Sequence, residues 1–304
     1  MDLRKFSVTQ WLGFVLTLLV VGLFIESPSW PTPDKILVFA TAICLMFKQA
    51  VEMLKRFVPF VGLLVVYESF RGVVPYLNSH VSYTWMPAVD MWLFGGQLPT
   101  AWLQSHLWNG QVQWYDFVLY LTYMLHFVLP FALAFVIWKR LPKQYWRYAT
   151  AFLLVSFMGF VTFLAVPAAP PWMASELGYI QPIERVSSQV WAALGINDFP
   201  SLYSKLSPNP VAAVPSLHAA YATLFAMFAF VLFKSRWRYL SLIYPAFIYF
   251  GTVYQGEHYV IDEILGALYA VVAFLAAPYV VKWCVVGWQA VLKRTKQWRA
   301  TPAK

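Results

Sequence analysis

Long apolar runs dominate the chain, and short segments carrying most of its charge separate them. A bilayer-spanning helix needs about 17–25 predominantly apolar residues. Eight runs approach that length, and they lie near 6–25, 34–54, 57–77, 116–138, 147–166, 211–233, 238–256 and 259–281. Lys48, Glu52, Lys55 and Arg56 interrupt the second and third runs. The pattern predicts an all-α integral membrane protein with about eight transmembrane helices.

The composition agrees with a membrane protein, and the distribution of charge predicts its orientation. Hydrophobic residues make up 61% of the chain and charged residues 12%, whereas about a quarter of a soluble domain is charged. Most Lys and Arg residues lie at the N-terminus, in turns near 48–56, 139–147 and 234–238, and after residue 281. Positive loops favour the cytoplasmic side, so we expect both termini to be cytoplasmic. The net charge of +9 therefore reflects topology, and no nucleic-acid-binding motif accompanies it.

Two polar segments interrupt the predicted six-helix membrane domain. We divide the chain into N-terminal helices at 1–56, that domain at 57–281 and a basic cytoplasmic tail at 282–304. Within the domain, the Trp-rich segment 78–115 predicts an interfacial or re-entrant element. The Pro-rich loop 167–210 is long for a compact protein, and such loops are usually functional or disordered. Its Pro and Trp residues favour an ordered outer cap.

Two short polar clusters lie at the starts of apolar helices. GEHYVIDE places His258 and Asp262 before an apolar helix, and NPVAAVPSLHAAY places Ser216 and His218 before another. Ionisable groups are rare in membrane helices and usually functional, because burying them without a partner costs several kcal/mol. The predicted topology puts both helix starts at the extracytoplasmic face and at about the same depth. We therefore expect the two histidines and the aspartate to converge.

The spacing of these residues indicates phosphoryl transfer. His258 and Asp262 are four residues apart, so they share one face of a helix. An aspartate there can fix the imidazole tautomer and leave the other nitrogen basic. His218 can donate a proton to a leaving oxygen, and Ser216 at a helix start can bind an anion. This chemistry requires no metal or cofactor, although a zinc site of two histidines and the aspartate is an alternative.

The other ionisable residues near the outer face have simpler interpretations. His80 and His106 lie in aromatic surroundings typical of interfacial side chains. His126 is expected to pack against a neighbouring helix. Glu257 and Glu263 flank the catalytic pair, and Glu263 is turned about 100° from Asp262 around the helix, so we expect both glutamates to be solvated or to pack.

The motifs VPSLHAAYA and GEHYVIDEILG resemble the second and third signature motifs of the type 2 phosphatidic acid phosphatase superfamily. The resemblance covers residues 57–281 and is closest to the branch of inositol phosphorylceramide synthases, to which PAAPPW is also similar. It implies a six-helix core and a phosphohistidine formed on His258. It also implies that Asp262 orients His258, that His218 acts as acid and then base, and that Ser216 helps to hold the phosphoryl oxygens.

The chain departs from the phosphatases of this superfamily in its cations. Gly251 and Thr252 stand where those enzymes carry Ser-Arg, and the sequence contains no Lys-x6-Arg-Pro motif. The positive groups that neutralise a phosphate monoester dianion are therefore missing. A phosphodiester carries a single negative charge and needs less compensation, so the sequence favours a phosphodiester lipid as donor.

Arg71 is the strongest candidate for the remaining cation at the site, because it lies near the outer end of the third run. Its alternative is an interfacial arginine whose stem covers apolar surface. Lys205 and Arg185 in the outer loop are weaker candidates. Tyr67 and Glu68 are candidates to orient Arg71 or to contact a headgroup.

These observations predict a membrane phosphotransferase with an extracytoplasmic site, in a plasma membrane or a luminal-facing endomembrane. It would move a headgroup phosphate, with phosphoinositol as one candidate, from a phospholipid donor to a lipid or glycolipid alcohol. The first alternative is a lipid or polyprenyl phosphate phosphatase. The second is a lipid-binding or transport protein without turnover. The sequence leaves the oligomeric state open.

Overall fold

The helices of the protein are seen in a computed structural model, which describes residues 6–26, 33–195 and 209–300. Within these ranges the extended pairings are isolated bridges that join Ser82 to Ala168 and Ala168 to Ala212. The α-helices, in chain order, are α1 (Val8–Glu26), α2 (Pro33–Met46), α3 (Ala50–Leu77), α4 (Trp85–Leu93), α5 (Pro99–Leu107), α6 (Trp114–Met124), α7 (Leu129–Arg140), α8 (Tyr145–Ala165), α9 (Pro171–Glu176), α10 (Val186–Ala193), α11 (Leu217–Leu232), α12 (Ile243–Tyr254) and α13 (Val260–Ala300).

Several of the described helices can span a membrane. Four helical stretches are long and apolar enough: α1, α3, α8 with its preceding turn, and α13 as far as Val291. Helices α6 and α7 form a fifth candidate if they are one span bent by 52°, whereas α2 and α11 are apolar but shorter. The predicted all-α integral membrane architecture is confirmed, and the count of eight spans stays a prediction.

The turn between the second and third apolar runs is shorter than the sequence predicted. Helix α2 ends near Lys48, whose φ of 56° lies in the left-handed region, and α3 begins at Ala50. Glu52 and Lys55 pair at 3.2 Å one turn apart on the helix surface. Because the helix keeps these charges exposed, they do not break it. Helix α3 therefore runs through the proposed boundary at residue 56.

The fourth apolar run is bent instead of straight. A 3₁₀ turn, Leu125–Phe127, separates α6 from α7, and Pro130 follows it. Proline has no N–H to donate to the carbonyl four residues earlier, which here belongs to His126, so a regular α-helix cannot continue through this point. The bend therefore falls at His126.

A close helix crossing joins the two polar clusters. Helix α13 packs along α8 and α11, and α3 packs along α8, around a core that these helices share with α7. At the crossing of α11 and α13, a Cβ atom on Gly266 would lie 2.2 Å from the carbonyl oxygen of Ser216. Only glycine permits this approach. The contact fixes the start of α11 against the first turns of α13.

The two outer segments contain short helices. Residues 78–115 hold α4 and α5, which a turn containing Gly95 and Gly96 connects, and Trp92 and Phe94 are exposed there. The described part of the loop 167–210 holds α9 and α10. The depth of both segments at a membrane interface stays a prediction.

Candidate active site

A cavity of about 230 Å³ lies between α3, the bend of α6 and α7, α8 and the start of α11. His218 and His258 both line it, so the structure brings together the two histidines that the sequence placed at one depth. Arg71 and Tyr67 line the same cavity, and His126 joins them from the bend. The cavity therefore combines basic and aromatic groups around two imidazoles.

His258 lies between Asp262 and His218. Its Nδ1 atom is 3.4 Å from Oδ2 of Asp262, which is long for a hydrogen bond but close enough for electrostatic pairing. The same Oδ2 atom accepts the N–H of Tyr259 at 2.9 Å, and Asp262 is completely buried. On the other side of the ring, Nε2 lies 3.2 Å from Nδ1 of His218. The carboxylate of Asp262 thus lies next to Nδ1 of His258, and the imidazole of His218 lies next to Nε2.

The carboxylates near His258 control its charge. Burial alone would lower the pKa of His258, but Asp262, Glu263 and Glu257 outweigh that effect and raise the pKa above its ordinary value. This environment makes His258 a stronger base, and a nucleophile at this position would be the neutral imidazole, which acid removes.

The ring of His218 is held between two aromatic neighbours. The centroids of Tyr123 and His126 each lie 4.4 Å from the centroid of His218. His126 therefore packs against a neighbouring helix as expected, and that neighbour is a proposed catalytic residue. The Nδ1 atom of His126 is buried and forms no hydrogen bond with any described residue. Pro130, which follows the bend, is the feature of the sequence that distinguishes His126 from an ordinary residue in a helix interior.

Arg71 and Glu68 form an ion pair beside the cavity, with Nη1 of Arg71 3.2 Å from Oε2 of Glu68. Tyr67, the other member of this group, is only 1% exposed. The structure thus places the predicted cation and both of its candidate partners at the histidines. Lys205 lies outside the described residues.

Ser216 has a structural place. Its hydroxyl accepts the N–H of Ala219 at 3.2 Å and caps α11, and its own N–H donates to the carbonyl of Asp262 at 3.0 Å. Ser216 is completely buried and is not among the residues that line the cavity. These bonds hold the starts of α11 and α13 together, and a contact of Ser216 with phosphate stays a prediction.

Thr252, one of the two positions that depart from the phosphatase pattern, supports the loop before α13. Its carbonyl accepts the N–H of Glu257 at 3.0 Å and that of His258 at 3.2 Å. Its hydroxyl donates to Oε1 of Glu263 at 2.6 Å. A Cβ at Gly251, the other position, would only contact Leu119, at 3.4 Å. Thr252 thus stabilises the loop that carries His258, and neither position offers a positive charge.

Glu257 and Glu263 are both buried, so of the two expected environments, solvated or packed, they have the packed one. Glu257 is 9% exposed and receives two bonds from Arg185, at 2.8 and 3.3 Å, and one from the hydroxyl of Ser187. The guanidinium of Arg185 also lies 4.3 Å from the ring centroid of Trp172. Arg185 therefore joins the outer loop 167–210 to the loop that carries His258 and does not line the cavity.

Asp90 is a site residue that the sequence reasoning missed. From the short helix α4 its carboxylate accepts the N–H of Val260 at 2.8 Å and that of Ile261 at 2.9 Å. These are backbone donors of the first turn of α13, two and three residues after His258. Burial raises the pKa of Asp90 to about 6, so the group is charged at neutral pH. An acid inside the apolar stretch WMPAVDMWL was the signal that could have identified it.

The zinc alternative finds no support in this geometry. Asp262 lies on one side of the His258 ring and His218 on the other, so the three do not converge on one point. Among the described residues, no group of three or more His, Cys, Asp and Glu side chains is arranged to hold a metal ion.

Comparison with known families decides where the chain belongs. A family model described as the PAP2 superfamily matches residues 84–276. The chain belongs to the PAP2 superfamily. The predicted resemblance to the type 2 phosphatidic acid phosphatases is thereby confirmed, and the match includes both histidine motifs.

Two curated relatives of this PAP2 protein are synthases. It is 36% identical over 149 residues to the phosphoinositol dihydroceramide synthase of Bacteroides thetaiotaomicron, which covers 46% of this chain and 48% of that protein. It is 25% identical over 277 residues to the inositol phosphorylceramide synthase of Candida albicans, which covers 88% of this chain and 55% of that protein. The chain thus spans about half the length of these relatives. No solved structure matches it.

Proposed function

We propose that this PAP2 protein is a membrane phosphotransferase that moves a phosphoinositol headgroup from a phosphodiester lipid to the hydroxyl of a ceramide-class lipid. The carrying observation is the pair of imidazoles in one cavity, with Nε2 of His258 3.2 Å from Nδ1 of His218 and Asp262 behind His258. The names of the two relatives support phosphoinositol as the headgroup and a ceramide as the acceptor.

In the first step the phosphoryl group of the donor lies between the two histidines, in place of their direct contact. Nε2 of His258 then attacks the phosphorus atom. The bond from phosphorus to the diacylglycerol oxygen breaks, and His218 donates a proton to that oxygen. Neutral diacylglycerol leaves, and a phosphohistidine remains. Asp262 holds the proton-bearing Nδ1 and stabilises the positive charge that develops on the ring.

In the second step the acceptor hydroxyl replaces diacylglycerol. Its oxygen attacks phosphorus while His218 removes its proton, and the bond between phosphorus and nitrogen breaks. Both histidines return to their starting states, so the cycle consumes no proton. Arg71 stabilises the phosphoryl charge in both steps.

A phosphodiester substrate matches the charges at the site. Gly251 and Thr252 supply no cation, and Arg71 is already paired with Glu68. A monoester dianion would need more positive charge than this cavity provides, whereas a diester has one charge to compensate. The loop charges further support cytoplasmic termini and an extracytoplasmic site.

The test uses purified protein in lipid nanodiscs containing phosphatidylinositol labelled at phosphorus, with and without ceramide. We expect labelled phosphoinositol ceramide only when ceramide is present, and a label on the protein that is acid-labile and alkali-stable. His258→Gln should abolish both. His106→Gln is the matched control, because His106 bonds within its own helix α5.

Other outcomes identify the alternatives. Release of water-soluble phosphate or inositol phosphate regardless of acceptor would favour a phosphatase-type reaction with water. Binding of the donor without turnover or label would favour a lipid-binding protein. Full transfer by the His258→Gln variant would overturn the proposed mechanism.

A further inference from the structure

His126 contributes a third imidazole to the cavity that His218 and His258 line. The 3₁₀ turn Leu125–Phe127 places it there, because Pro130 prevents a regular helix from continuing through the bend. The ring centroid of His126 lies 4.4 Å from that of His218, which lies 5.4 Å from that of His258. The proposed reaction uses only the other two imidazoles, so the surroundings of His126 must indicate what the third one does.

The two ring nitrogens of His126 have different surroundings. Nδ1 is buried and forms no hydrogen bond with any described residue, although the side chain lines the cavity. The edge of the ring that reaches the cavity is therefore the one that carries Nε2. Nε2 bears a proton in the charged ring, and the neutral ring has one proton for its two nitrogens. Protein interiors tolerate an orphaned N–H less well than an acceptor without a donor, as backbone groups show, so the neutral ring also favours the proton on Nε2.

The cavity is small and has few groups that can bind a phosphoryl oxygen. Arg71 supplies a positive charge but is already paired with Glu68, at 3.2 Å. The cavity volume of about 230 Å³ is below the usual range of ligand sites, about 300–1,000 Å³. A phosphoryl group held between His258 and His218 therefore cannot lie far from any of its walls. Attack on phosphorus increases the negative charge on the two non-bridging oxygens, and donors directed at these oxygens stabilise the transition state.

We propose that the Nε2–H group of His126 donates a hydrogen bond to a non-bridging oxygen of the donor phospholipid. This contact rests on the proposed transferase function, in which the bond from phosphorus to diacylglycerol breaks as the bond to Nε2 of His258 forms. His126 transfers no proton in that step and only stabilises the charge on the oxygen. It supplies a donor at a site whose Gly251 and Thr252 lack the cation of the phosphatases.

Sulfur substitution at phosphorus tests this contact. The probes are the two diastereomers of phosphatidylinositol in which sulfur replaces one or the other non-bridging oxygen, since sulfur accepts a hydrogen bond more weakly. A tritiated inositol ring stays with phosphorus in the first step, so single-turnover labelling of His258 in nanodiscs gives the rate for each diastereomer. His126→Phe keeps an aromatic ring against His218 and removes the N–H. We expect it to lower the labelling rate with unmodified phosphatidylinositol about 10- to 100-fold.

The ratio of the two diastereomer rates distinguishes a contact with phosphate from packing. The loss in His126→Phe should be larger for the diastereomer that keeps oxygen at His126, so the ratio should shift about 10-fold. Phe127→Leu is the packing control, because Phe127 lines the same cavity with its ring centroid 5.1 Å from that of His126 and has no polar side-chain atom. This variant should change both rates equally and leave the ratio as in the parent.

A second pair of variants gives a test that does not depend on the folding of His126→Phe. Glutamine can place an amide N–H near the position of Nε2, whereas asparagine can place one only near that of Nδ1. His126→Gln should therefore retain more activity than His126→Asn and a ratio closer to that of the parent. Packing alone predicts no advantage for glutamine in the ratio, because neither side chain replaces the aromatic ring.

The contact is refuted if folded His126→Phe protein keeps the parent ratio, whether its rate falls or not, since His126 would then only pack against His218. Equal losses in His126→Gln and His126→Asn with the parent ratio would refute it as well. Failure of the parent protein to form labelled His258 from unmodified phosphatidylinositol would instead reject the proposed function itself.

Discussion

Replacement of Asp90 by asparagine tests whether the start of α13 positions the nucleophile. The Asp90 carboxylate is fully buried and accepts both the Val260 and the Ile261 N–H, at 2.8 and 2.9 Å. Asparagine keeps one acceptor oxygen and turns an amide N–H₂ toward the other donor. One charge-assisted bond is lost and the other becomes neutral.

The magnitude follows from these two bonds. A hydrogen bond to a charged group contributes about 1.5–3 kcal/mol, so Asp90→Asn should lower the free energy of unfolding by about 2–3 kcal/mol. Displacement of reacting groups by 1 Å can cost about 100-fold in rate. The lost bonds release the first turn of α13, which begins two residues after His258. We therefore expect kcat to fall about 10- to 100-fold. The KM values of both lipids should change less than about twofold, because Asp90 does not line the cavity that holds the two histidines.

The assay measures kcat, both KM values and thermal stability in detergent, well below the melting temperature. Asp116→Asn is the matched control. Asp116 is equally buried and accepts the Gln113 N–H at 2.7 Å and the Tyr254 hydroxyl at 2.8 Å, but it caps α6. It should lose similar stability and much less kcat. Equal losses of kcat at equal losses of stability would refute a positioning role for Asp90.

Three further predictions concern charge and packing. Activity should fall as the pH drops through the raised pKa of His258. Glu257→Gln removes a carboxylate that raises this pKa, so it should move the acidic midpoint of the pH-rate profile to lower pH, and an unchanged midpoint would contradict the prediction. Gly266→Ala should strongly destabilise the protein in thermal unfolding, because the added Cβ would lie 2.2 Å from a carbonyl oxygen. Gly287→Ala is the control: its Cβ would meet nothing within 4 Å, so the change should be neutral or stabilise by up to about 1 kcal/mol, and equal effects of the two variants would refute the importance of the helix crossing. Arg71→Gln should raise the KM of the phospholipid about 10-fold in steady-state kinetics, with partial recovery in Arg71→Lys; equal effects on both substrates would indicate a role in folding.

Local rules of sequence explain what could be predicted. Helical periodicity places His258 and Asp262 on one face, and alternation of membrane spans places His218 at the same end of the bundle. Neither inference requires knowledge of how distant segments pack. The helical membrane architecture follows from apolar run length for the same reason.

Packing between distant segments explains what could not be predicted. Asp90 reaches α13 across 170 residues of sequence, and no periodic pattern connects them. Glu257 looked like a surface acid until the path of the cap brought Arg185 to it. The start of α3 was misjudged because charges were read as a loop, although a helix surface exposes Glu52 and Lys55 equally well.

The described part of the cap is fastened to the loop that carries His258, and this has a consequence for how substrates arrive. Arg185 and Ser187 bond to Glu257, and backbone bridges join Ser82, Ala168 and Ala212 on the neighbouring segments. Lifting the cap would leave the buried Glu257 carboxylate without these partners, which is unfavourable. We therefore expect lipids to enter sideways, in the plane of the bilayer, so that turnover depends on two-dimensional diffusion. Dilution of both substrates with inert lipid would slow the enzyme even when their amounts per volume of suspension are unchanged.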